Sequence, residues 1–289
     1  MLTIHSLFEE YGFCSDASSY FSEQYQKLTA NKDAYSIFCA QIQAYRDDIS
    51  FDYLPVVNKL HLLAKEMGIH TYTVEMLYIL WLMLDLKAHY LQENIPMQYY
   101  DSFAENLKAY AVSCKTTHGV WGTDIAWWLI DFFKLKLFSV GRLQFKRRKL
   151  RKAMGGYAEG SYYIDVHIPG GAPLTPALCA ASYAEAAAFF RMRYGMEYIL
   201  FGCHSWLLSP ELNNILPAKS NILAFAHDYT IWETRTDPTS SAVSFIFNVP
   251  ALPADINTLP EDTSLRKALK MHLKAGNSIN TAFGLMHYK

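Results

Sequence analysis

Through the first half of the chain, apolar residues recur at three- and four-residue spacing. That period predicts amphipathic helices over residues 2–11, 20–28, 34–45 and 56–67. Residues 70–91 predict a longer, mostly buried helix and residues 97–112 another. Trp127-Trp128-Leu129-Ile130 leads a final helix through Phe133 to Leu137. Gly68, Asn94-Ile95-Pro96 and His118-Gly119 punctuate these segments.

Near residue 140 the pattern changes to alternating strands and helices. Strands are predicted at 141–145, 162–168 and 198–208, with a helix over 176–194 closed by Gly195. A short helix follows Ser209-Pro210, and Ser220-Asn221-Ile222 starts another. Residues 230–235 and 242–248 read as two strands separated by a turn at Asp237-Pro238. Residues 265–274 are helical, Gly276 stops them, and 279–288 form a last strand. The expected fold is an all-helical N-terminal domain, 1–138, followed by an α/β layered domain, 139–289, with a mixed sheet.

Composition narrows the class. The chain has 289 residues, 51% apolar and 18% charged, which suits two packed cores and excludes disorder. A net charge of -1 excludes nucleic acid or an anionic membrane as partners on global charge. The local exception, Lys146-Arg147-Arg148-Lys149 with Arg151 and Lys152, reads as a solvated loop. Five scattered cysteines form no CxxC pair, and ten histidines show no HExxH spacing, so neither a disulfide framework nor a metal is expected. The longest apolar run, residues 76–84, is nine residues, whereas a membrane span needs about 20. The N-terminus lacks a cationic lead and an apolar signal core, so a cytoplasmic location is expected.

Chemistry concentrates between Tyr162 and Leu208. The strand at 162–168 places Ile164 and Val166 on one face, and Tyr163, Asp165 and His167 on the other. A Gly/Pro loop follows, then Thr175 as a helix cap with Pro176 in the first turn. Backbone N–H groups at such a loop-to-helix junction suit a phosphate, which makes a pyrophosphate-bearing ligand the first functional idea. Asp165 and His167 can reach one cleft as general bases. On the next strand Cys203 and Ser205 share a face, while Gly202, His204 and Trp206 lie opposite. That separation argues against a local Cys-His or Ser-His pair.

GRLQF at 141–145, HIPGGAPLT at 167–175, CHSWLL at 203–208 and SNI at 220–222 resemble a bacterial family described as acyltransferases. Its members join a helical N-terminal domain to a GNAT-like C-terminal domain. The resemblance implies acetyl-CoA or another acyl-CoA as co-substrate, an amine acceptor, and a slot between splayed parallel strands. GNAT enzymes hold the CoA diphosphate with an Arg/Gln-x-x-Gly-x-Gly/Ala loop. Here Gly170 and Ala172 match, while His167 replaces Arg or Gln. The implied cofactor contacts are Ile168, Gly170, Gly171, Ala172, Thr175 and Asn213. The implied catalytic candidates are Asp165, His167, Cys203 and Ser205. Two other readings stand beside this one: a ligand-binding or sensing protein on a degenerate GNAT scaffold, and a Cys203-dependent acyl carrier or hydrolase.

Overall fold

The computed structural model describes residue 8, residues 10–237 and residues 241–289. It divides into two compact units, Met1–Phe138 and Ser139–Lys289. The helix expected at 2–11 lies largely outside the described residues, as does Pro238 of the expected turn.

Unit one is helical: α1 (Ser15–Ala30), α2 (Lys32–Asp47), α3 (Tyr53–Met67), α4 (Thr71–Gln92), α5 (Met97–His118) and α6 (Ala126–Phe133). The boundaries follow local chemistry. The Asn31 side chain accepts from the Asp33 and Ala34 amides to start α2. Gly68 and Gly119 end α3 and α5 in the left-handed conformation. Helix α4 is buried almost all round, which explains its weak amphipathicity, and packs against α1, α2, α3, α5 and α6. Its buried Glu75 pairs with His61, while burial pushes the carboxyl above its ordinary value. Among the described residues, no helix is long and apolar enough to cross a membrane.

The sheet comprises β1 (Leu137–Val140), β2 (Leu143–Lys149), β3 (Tyr162–His167), β4 (Ile199–Ser205), β5 (Thr230–Arg235) and β6 (Thr281–Tyr288), in spatial order β1-β2-β3-β4-β6-β5. It is mixed: β3 and β4 run parallel, while β2/β3, β4/β6 and β5/β6 are antiparallel. The helices of this unit are α7 (Pro176–Tyr194), α8 (Asn221–His227), α9 (Ser241–Phe247) and α10 (Ser264–Lys274).

One sheet face meets α7, where Tyr183 packs on Phe145 and Phe201. Its hydroxyl shares a 2.8 Å hydrogen bond with that of Tyr229. On the other face, Tyr163, Leu200 and Leu285 form a small core with Leu150, flanked by Met154, Tyr157 and Phe283. A third core joins Leu212 and Leu223 to residues of α9 and α10.

Five segments differ from the sequence reading. Leu137 leaves the helix, which ends at Phe133, and opens β1 instead. The strand expected at 141–145 begins at Leu143, because Gly141 and Arg142 form the β1–β2 turn. Gly141 adopts φ +59, and an added Cβ would sit 2.7 Å from Ser182 Oγ. The basic run is the second half of β2 rather than a loop, paired with β3 from Gln144↔His167 to Lys149↔Tyr162. The strand expected at 242–248 is a helix ending at Phe247: Ala242, Val243 and Phe247 are buried in one core, and an apolar run this short carries too little period to separate helix from strand. The strand expected at 198–208 also ends early, at Ser205, where the Ser205 hydroxyl caps a short 3-10 turn.

Candidate active site

The parallel pairing of β3 and β4 is two residues long, Ile164↔Phe201 and Asp165↔Gly202. Beyond it β3 continues to His167 and β4 to Ser205 without a shared ladder. His167 and His204 therefore stand at matching positions, two residues past the last pair and on one face, either side of the parting strands.

Asp165 is 2% exposed. Its Oδ2 accepts from Arg148 Nη1 at 2.9 Å and lies 3.0 Å from His167 Nε2. Burial works against the ionised carboxyl, but His167 and Arg148 outweigh it and hold Asp165 below its ordinary value. A carboxylate held this way is a weak proton acceptor. Its geometry suits orienting the His167 ring.

His204 is exposed and lines a cavity of about 340 Å³ on the sheet face that bears Asp165. Desolvation, then the nearby positive charge of Arg235, lower its pKa from the ordinary 6.5. Both influences favour the neutral ring, the form a proton acceptor needs. The cavity has an apolar floor of Leu150, Met154, Tyr163 and Phe283. Glu233 enters from β5, paired with Lys152 and, at 2.6 Å, with Arg235. Gly202 lies under the floor, where a Cβ would meet the Tyr163 ring at 2.6 and 2.7 Å.

Cys203 is fully buried and burial raises its thiol pKa, so the reactive thiolate is disfavoured. It packs, and the acyl-carrier reading is set aside on that ground. Ser205 is half-buried, with its Oγ accepting from the Leu207 amide at 3.1 Å.

The glycine loop is exposed, with open space beside Gly170 and Gly171, and Gly171 adopts φ +102. Arg142 braces it, donating to the Pro169 and Pro173 carbonyls at 2.8 and 3.2 Å. Thr175 does cap α7, but its Oγ already takes the Leu178 amide at 3.4 Å, and Pro176 has no N–H. The helix start thus offers fewer open donors than expected, whereas the amides of residues 170–172 make no hydrogen bond among the described residues. Ile168 is half-buried beside them. Asn213 is exposed and occupied locally, its amide donating to the Pro210 carbonyl at 3.1 Å.

The family described as a GNAT-like C-terminal domain matches residues 137–286, more than half the chain and all six strands but for the last two residues of β6. The chain belongs to this family. No curated protein matches it. Among solved structures, an acyltransferase in complex with decanoyl-CoA has a TM-score of 0.67 at 19% identity, with 100% of each chain covered. An acyltransferase in complex with decanoyl-CoA and teicoplanin has a TM-score of 0.66 at 18% identity, again with 100% of each covered. These likenesses show that the fold extends over the whole chain.

The cluster of His204 with Arg148, Glu233 and Arg235 was missed in the linear reading. Alternation alone put Gly202 and His204 on one face of their strand. Only the β3–β4 register identifies that face with the one bearing Asp165.

Proposed function

We propose that this GNAT-like protein is an acyl-CoA-dependent N-acyltransferase acting on an amine acceptor. The observation that carries this reading is the end of the β3–β4 ladder at Asp165↔Gly202, with the open glycine loop beyond β3 and the His204 cavity on the sheet face beside it. A slot between parallel strands suits an extended pantetheine arm, and the free amides of residues 170–172 suit its diphosphate. The solved acyltransferases of the same fold carry decanoyl-CoA or octanoyl-CoA, and one also carries teicoplanin, which supports a long-chain acyl donor and a separate acceptor.

The reaction needs little from the protein. The neutral amine attacks the thioester carbonyl carbon, a C–N bond forms, and the C–S bond breaks to release the CoA thiolate. The proton lost by the amine passes to His204 and then to the thiolate, so the products are an amide and the CoA thiol. Strand-end amides beside the parting stabilise the developing oxyanion. Asp165 acts through His167 as a positioning residue.

A thermal-shift series with acetyl-, octanoyl- and decanoyl-CoA tests the donor side. A donor present at a hundredfold its Kd adds about 2.7 kcal/mol of stability. A rise of several degrees is expected with at least one donor, and no shift with any of them overturns the proposal. The brace on the loop gives a second test. Arg142→Ala removes two hydrogen bonds from the loop carbonyls and is expected to weaken CoA binding about tenfold, equivalent to roughly 1.4 kcal/mol. Isothermal titration reads this directly, and unchanged affinity would show that the loop does not hold CoA.

A further inference from the structure

The His204 cavity carries more positive charge than its own carboxylates offset. Arg148, Arg151, Lys152 and Arg235 line it against Asp165 and Glu233, an excess of two positive charges. The pairing within the cavity is uneven. Asp165 serves Arg148, and Glu233 serves Lys152 and Arg235. Lys149, opposite Tyr162 and over its ring at 5.0 Å, turns to the other sheet face, which leaves Arg151 as the cavity cation with no carboxylate partner among the described residues.

These cations are exposed, but they are not spread over a flat face. They ring a concave floor of Leu150, Met154, Tyr163 and Phe283, where low-dielectric walls focus the field inward. A second groove, lined by Gly155, Tyr157 and the exposed Trp232, continues from Lys152, Met154 and Glu233. We infer that the cavity recognises an acceptor that carries an anionic group, a carboxylate or a phosphate, alongside its reactive amine. This rests on the acyltransferase reading for the amine, while the anion preference follows from the cavity alone.

CoA is a second source of phosphate, and the register separates the two. Arg148 and Lys149 lie opposite Tyr163 and Tyr162, at the start of β3, whereas the glycine loop follows its end. The four residue steps from Tyr163 to His167 span about 13 Å of strand. A diphosphate on residues 170–172 is thus a separate anion from one held at Arg151. With His204 accepting the amine proton and Arg151 holding the acid group, one acceptor is gripped at two points.

Isothermal titration of the full chain with two matched amine pairs tests this: phenylalanine against phenylalaninamide, and glucosamine 6-phosphate against glucosamine. The anionic member of a pair is expected to bind about tenfold tighter, and Arg151→Glu to erase that preference. Arg151→Gln, which keeps the polar surface, is expected to lose part of it. Octanoyl-CoA affinity is expected to stay within about twofold in both variants. Equal binding within both pairs overturns the inference, as does a preference that survives Arg151→Glu. Displacement of the anionic amine by adenosine 3′,5′-diphosphate also overturns it, since the cavity would then hold the nucleotide. If no acyl-CoA binds but the Arg151-dependent preference remains, the transferase reading falls and the anion site stands.

Discussion

Replacing His204 with alanine is expected to lower kcat/KM by about 10²- to 10³-fold, within the range general-base groups contribute. The side chain is exposed to the cavity, so its loss removes a reactive imidazole without opening the core. The melting temperature should therefore change little. The pH profile carries the sharper signature. Desolvation and then Arg235 favour the neutral ring, so its pKa lies below the ordinary 6.5. Activity that needs the neutral ring rises with pH through that lowered value, which places the acid limb of kcat/KM below pH 6.5. Arg235→Gln removes one of the two lowering influences and is expected to move the limb upward. An alanine variant that keeps its activity within threefold of wild type, with the acid limb in place, would remove His204 as the base.

Gly202→Val is expected to destabilise the protein by about 2–3 kcal/mol, the cost of overpacking a filled site. Even a single Cβ would sit 2.6 and 2.7 Å from the Tyr163 ring and 3.2 Å from Phe283, and valine adds two more methyls. The nearest atoms belong to a rigid ring that is itself buried between β3 and the core around Leu200. Relief therefore requires Tyr163 to swing or the last β3–β4 pair, Asp165↔Gly202, to open. Either change deforms the cavity floor, so CoA-dependent turnover should fall along with the thermal midpoint. Tyr163→Leu in the same chain should recover part of the loss, because contacting residues are not additive. A midpoint unchanged in Gly202→Val would show that β3 and β4 are not packed as described.

Much of the helical unit was legible before any coordinates. Gly68 and Gly119 end helices because only a residue free to adopt a left-handed conformation closes them there without strain. The Thr175-Pro176 pair starts α7 for equally local reasons: a hydroxyl acceptor, then a residue with no N–H to satisfy. Period 2 at residues 162–167 likewise fixed which side chains share a face of β3. Where local period was short or mixed, the reading failed. The expected strand at 242–248 is instead α9, Ser241–Phe247, because the core shared with Leu259, Leu269 and Leu273 selects a helical face. Residues 146–149 form a strand because β3 supplies hydrogen-bond partners and Asp165 supplies a counter-charge to Arg148.

Caps, turns and the alternation of single strands depend on residues a few positions apart, so the amino-acid order alone determined the helical first unit, the β-α-β centre of the second and the glycine loop after β3. Which strand lies beside which, and in what register, depends on pairing between residues nearly forty positions apart, as for Asp165 and Gly202. That pairing brings His204 onto the face of Asp165, buries Cys203, and gathers Arg148, Arg151 and Arg235 around one cavity. Contacts of that range are chosen by packing and charge across the folded sheet, and only the tertiary structure decided them.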